Sequence, residues 1–80
     1  MEEIERMLLS TVFEELGELL KNRATGVDTD SFVYKYLFRR MPQMFEKHQV
    51  DLRSLSIISF TDYYLVTVNF KHTAKLKLKP

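Results

Sequence analysis

The hydrophobic pattern changes period about two-thirds of the way along the chain. Over the first twenty residues, Ile4, Leu8, Leu9, Val12, Phe13, Leu16, Leu19 and Leu20 fill one half of a helical wheel at ~100° per residue. Glu3, Glu14, Glu15 and Glu18 take most of the other half. The spacing predicts a helix over about 2–21. Its early acids and its late bases, Lys21 and Arg23, both complement the helix dipole. Gly17 is the weak position, costing about 1 kcal/mol relative to alanine in a helix interior.

Arg23 to Thr29 reads as a linker turning at Gly26. Asp28, Thr29 and Asp30 are candidate N-caps for a second helix over about 31–48, in which Val33, Leu37, Met41, Met44 and Phe45 share one side. Pro42 falls inside it and removes the hydrogen bond to the Phe38 carbonyl. The apolar phase does not reset there, so the expectation is a kinked helix or two nearly collinear segments.

Beyond residue 54 the period becomes two. Strands are expected over about 55–60, 63–70 and 74–78, all rich in β-branched or aromatic residues. A turn at Thr61-Asp62 pairs Ser59 with Tyr64, Ile57 with Val66 and Leu55 with Val68. For the third strand, a loop at Lys71-His72-Thr73 aligns Phe70 with Ala74, Val68 with Leu76 and Val66 with Leu78. It is preferred to a two-residue turn, which buries lysines. The fold class is therefore α+β: one domain over 1–80, ααβββ, with two helices on one face of a three-stranded antiparallel meander. The alternating lysines of the last strand suit a sheet edge.

Composition narrows the chemistry. The 80 residues are 45% hydrophobic with a net charge of +1, ordinary for a folded domain. The chain contains no cysteine, so neither a disulfide framework nor a thiolate metal site is available. Residues 1–20 carry six Glu against one Arg, unlike the basic start of a secretory signal, and no apolar run reaches the ~18 residues of a membrane span. The expectation is a cytoplasmic protein without membrane insertion. Near-neutrality conceals a gradient, because residues 21–80 carry eleven Lys or Arg against five acids.

Catalytic signals are thin. There is no G-x-S-x-G and no glycine-rich phosphate loop. The D-T-D-S run has Val33 and Arg39 where a calcium loop needs Gly and Glu. His48 with Asp51 supplies at most two metal ligands. No enzyme activity, cofactor, metal or small-molecule substrate is expected.

Two surfaces stand out instead. On the back of the second helix, Phe32 and Tyr36 are expected to project away from the core, flanked by Arg39, Arg40, Gln43 and Lys47 as a protein-contact stripe. The bland alternative has Phe32 covering the core edge and Tyr36 reaching water from it. On the sheet face away from the helices, the register collects Ser54, Ser56, Ile58, Phe60, Tyr63, Leu65, Thr67, Asn69, Lys75, Lys77 and Lys79. Ile58, Phe60, Tyr63 and Leu65 make it more apolar than the outer face of a monomer usually is. The leading expectation is a small interaction or regulatory protein that binds a protein partner as a homodimer. The alternative is a nucleic-acid module that stacks bases on this face and holds phosphates with Lys71, His72, Lys75, Lys77 and Lys79.

Overall fold

The computed structural model describes residues 2–22 and 28–77. It contains α1 (Glu2–Lys21), α2 (Thr29–Lys47), β1 (Leu55–Ser59), β2 (Tyr63–Val68) and β3 (His72–Lys77). The three strands form one open antiparallel sheet in the order β1-β2-β3. Helix α1 packs on the β3 side and α2 on the β1 side, each also against the other. The expected Gly26 turn, Leu78 and Lys79 lie outside the described residues.

The core lies between this helical layer and one sheet face. Leu8, Leu9, Val12 and Leu16 of α1 meet Val33, Leu37, Met41, Met44 and Phe45 of α2, above Tyr64, Val66, Val68 and Leu76. These are the residues that the two periods, 3.6 and 2, direct to a common interior. Helix α2 starts two residues earlier than expected. Asp28 is its N-cap, accepting a hydrogen bond from the Ser31 backbone N–H at 3.1 Å. It runs through Pro42 as one helix, with that proline exposed. It ends in a Schellman motif. Gln49 takes a φ of 60°, and the Gln49 and Val50 N–H groups donate to the Glu46 and Phe45 carbonyls. His48 is the exposed C-cap.

The first hairpin has the expected register: Leu55 opposite Val68, Ile57 opposite Val66 and Ser59 opposite Tyr64. The second does not. The ladder pairs Val68 with His72, Val66 with Ala74 and Tyr64 with Leu76, so β2 stops before Phe70 and β3 begins at His72. The chain reverses at Asn69-Phe70, with φ of 54° and 65°, closed by the Lys71 N–H donating to the Val68 carbonyl. Two successive positive φ values are the signature of the tight turns that suit strand twist, and asparagine tolerates the first. Lys71 is then the extra residue before pairing resumes. The correction shifts the register by an even number, so the lysines stay on the outer face.

Candidate binding surface

Two polar clusters secure the helices, and both use carboxylates inside the apolar arc of α1. On the wheel Glu5 falls between Val12 and Leu16, and Glu15, expected in the polar half, falls instead between Ile4 and Leu8. Glu15 lies between the two helices. Arg40 donates to it through Nε at 2.9 Å and through Nη2 at 3.0 Å, and the Tyr36 hydroxyl donates at 2.8 Å. The paired guanidinium holds the Glu15 carboxyl below its usual value despite some loss of hydration. Desolvation, then the bond to Glu15, pushes the Tyr36 phenol up.

This cluster corrects the placement of the α2 stripe. Phe32 and Tyr36 are half-buried, stack at 6.1 Å between ring centroids, and pack against the core instead of projecting opposite to it. Arg40 is committed to Glu15. Of the proposed stripe, Arg39, Gln43 and Lys47 are exposed. The reason is that α1 lies along this flank of α2, which a wheel drawn for one helix does not reveal.

The second cluster corrects the placement of His72 and Asn69. Both are buried on the core side. Glu5 Oε1 and His72 Nε2, both buried, approach to 2.7 Å, and neither has another polar partner among the described residues. Asn69 Oδ1 accepts from the Arg53 and Ser54 N–H groups at 2.6 and 3.3 Å. Its Nδ2 donates to the Asp51 carbonyl at 2.9 Å and to Glu5 at 3.2 Å. One side chain thus ties α1, the α2–β1 connection and the second hairpin together. His72 is removed from any outer-face phosphate site.

At the other end of the sheet, Tyr64 reaches through the core to donate its hydroxyl to Asp30 in the first turn of α2. Burial, then this bond, pushes the Tyr64 phenol well above its ordinary value. Ser59 also reaches Asp30, at 3.5 Å.

These ties leave the outer sheet face bare. No described helix packs on it, and it is arranged in rows across the three strands. Nearest the first turn lie Phe60, Tyr63 and Lys77; next come Ile58, Leu65 and Lys75; then Ser56, Thr67 and Thr73. Phe60 and Tyr63 stack at 4.8 Å between centroids, and Lys75 Nζ sits 4.9 Å from the Tyr63 centroid. Ile58 and Phe60 are 47% and 44% exposed, a large fraction for apolar residues side by side. Thr67 and Thr73 share a hydroxyl hydrogen bond of 3.1 Å in the polar row. The face is therefore apolar at one corner, polar at the opposite end and positively charged along β3.

Comparison with family models, with curated proteins and with solved structures finds no match. The functional reading therefore rests on the geometry of this chain.

Among the described residues no group of three or more His, Asp or Glu is placed to hold a metal ion, and no helix is long and apolar enough to cross a membrane. Two exposed aromatics escaped the sequence reading. Phe70 sits at the tip of the second hairpin, 77% exposed and at positive φ. Phe38 lies on the outer flank of α2 beside Tyr34. An asparagine followed by an aromatic between two alternating runs was the available signal for the first.

Proposed function

We propose that the protein is a non-enzymatic interaction module, and that its outer sheet face binds a protein partner, a second copy of the chain. The observation that supports this is the bare apolar corner formed by Ile58, Phe60, Tyr63 and Leu65. In a chain this short the core buries a small share of the apolar surface, so covering such a patch against another copy adds stability.

The charge pattern selects the arrangement. A two-fold axis parallel to the strands lays β3 of one copy over β1 of the other and keeps the lysine rows apart. Lys75 then covers Ile58 of the other copy with its aliphatic stem and extends its ammonium to water at the rim. An axis across the strands sets lysine against lysine and is disfavoured. Sedimentation tests the reading: the native chain should sediment at twice its 9.6 kDa, and Ile58→Lys should return it to a single chain. A native protein that stays monomeric, or an Ile58→Lys variant that stays dimeric, refutes it.

A second reading, single-stranded nucleic-acid binding, is favoured by the Phe60–Tyr63 stack beside Lys75 and Lys77. Tyr63 already contacts both Phe60 and Lys75, and His72 no longer contributes, so the reading ranks second. Affinity for single-stranded RNA that falls steeply with salt would promote it; absence of binding at low salt would end it.

A further inference from the structure

The two edges of the sheet are not alike. The Phe60 N–H donates to the Tyr63 carbonyl, and the Asn69 N–H to the Ser54 carbonyl. Ser54, Ser56, Ile58 and Phe60 therefore turn their backbone groups toward β2, and Leu55, Ile57 and Ser59 turn theirs outward. That outer edge is capped at its centre, where the Tyr34 hydroxyl of α2 donates to the Ile57 carbonyl at 3.2 Å.

By the same alternation, His72, Ala74 and Leu76 of β3 face β2, and Thr73, Lys75 and Lys77 present their N–H and C=O groups to the other edge. Among the described residues no strand pairs there. In place of a cap there is a cleft of about 390 Å³ between α1 and the strand, lined by Arg6, Leu9, Ser10, Lys71, Thr73 and Ala74 among others.

We propose that the β3 edge is a strand-addition site for an extended protein segment of alternating acidic and apolar residues. Parity dictates the alternation. Residues hydrogen-bonded to Thr73, Lys75 and Lys77 project onto the outer face, beside the two lysines, where carboxylates are matched. The intervening residues project inward into the cleft, onto Leu9 and Ala74, with Arg6 and Lys71 at its rim. Basic residues thus line both sides of the added strand. Lysines on an edge also discourage pairing with another copy of the same lysine-bearing strand. This site uses the backbone edge of β3 and the proposed dimer uses the outer face; they share the Lys75 side chain, so Ile58→Lys, which lies on β1, is the variant that tells the two apart.

The probe is a short blocked peptide of alternating Glu and Val, with an alternating Lys and Val peptide and a scrambled Glu/Val peptide as comparisons. Titration into the full chain, read by amide hydrogen exchange and NMR shifts, should protect the Thr73 and Lys75 amides. The order of affinity should be alternating Glu peptide over scrambled over Lys peptide. Lys75→Pro removes one outward N–H without touching the β2 ladder, and should weaken binding by roughly tenfold. Lys75→Glu should reverse the preference between the Glu and Lys peptides. Ile58→Lys should leave peptide binding unchanged while acting on self-association. No binding of the alternating peptide, or binding that leaves the Thr73 and Lys75 amides unprotected, overturns the proposal. Protection confined to the outer-face side chains would show that the peptide lies on the sheet, and would overturn it equally.

Discussion

Asn69 offers the sharpest test of how the fold is held. Its side chain is buried, its φ is 54°, and it makes four polar contacts: two accepted from Arg53 and Ser54 N–H, one donated to the Asp51 carbonyl and one to Glu5. Replacing it with alanine orphans three backbone groups at once. Arg53 and Asp51 are exposed enough for water to reach them, so each loss is valued at the net worth of a hydrogen bond, about 1 kcal/mol. A β-carbon in the left-handed region without a compensating local bond adds about 1 kcal/mol. The expected cost of Asn69→Ala is about 3–4 kcal/mol, against a total of about 4–12 kcal/mol for a domain of this length. Asn69→Gly loses the same bonds without the strain, so it should be milder by about 0.5–1 kcal/mol after allowing for the freedom of unfolded glycine. Urea unfolding followed by far-ultraviolet circular dichroism measures both. An alanine variant within about 0.5 kcal/mol of wild type, or a glycine variant worse than alanine, would refute the account of this hinge.

Gly17→Ala should stabilise the domain by about 1 kcal/mol in the same assay, because an added Cβ meets nothing within 4 Å and helix propensity improves. Phe70→Gly should raise stability by up to about 1 kcal/mol, since an exposed aromatic at a φ of 65° gives up little burial when removed. Glu15→Gln should cost about 1 kcal/mol at neutral pH, the discounted worth of a partly exposed bidentate pair. Because the folded-state value of Glu15 is lowered, its contribution is complete above the ordinary carboxylate range and is lost as pH falls through the folded value. The gap between wild type and Glu15→Gln should therefore close on acidification; a gap that widens toward acid contradicts the assigned pair.

How much of this was legible in the sequence depends on whether a residue answers to its own element or to a neighbour. The helices, the strands and the first hairpin register follow from periods of 3.6 and 2 and one short turn, and Ile58, Phe60, Tyr63 and Leu65 lie on the outer face as their parity requires. The second hairpin depends on two successive positive φ values in a segment without glycine, which alternation does not encode. Parity still kept the lysines outside, so a register error did not become a face error. Glu5 was not placed and Glu15 was assigned to the polar half although both fall inside the apolar arc, and their partners, His72, Asn69, Tyr36 and Arg40, come from elements whose relative placement only packing decides. Phe32 and Tyr36 were misplaced for the same reason.

The central claim, association of two copies through the outer sheet face, is tested most directly by NMR on a mixed sample in which half the chains carry carbon-13 methyl groups and half carry none. The account predicts nuclear Overhauser contacts from the Ile58 and Leu65 methyls of labelled chains to Phe60 or Tyr63 ring protons of unlabelled ones. Cross-copy contacts absent at concentrations where the protein is dimeric, or confined to the α2 flank around Arg39 and Gln43, would contradict it.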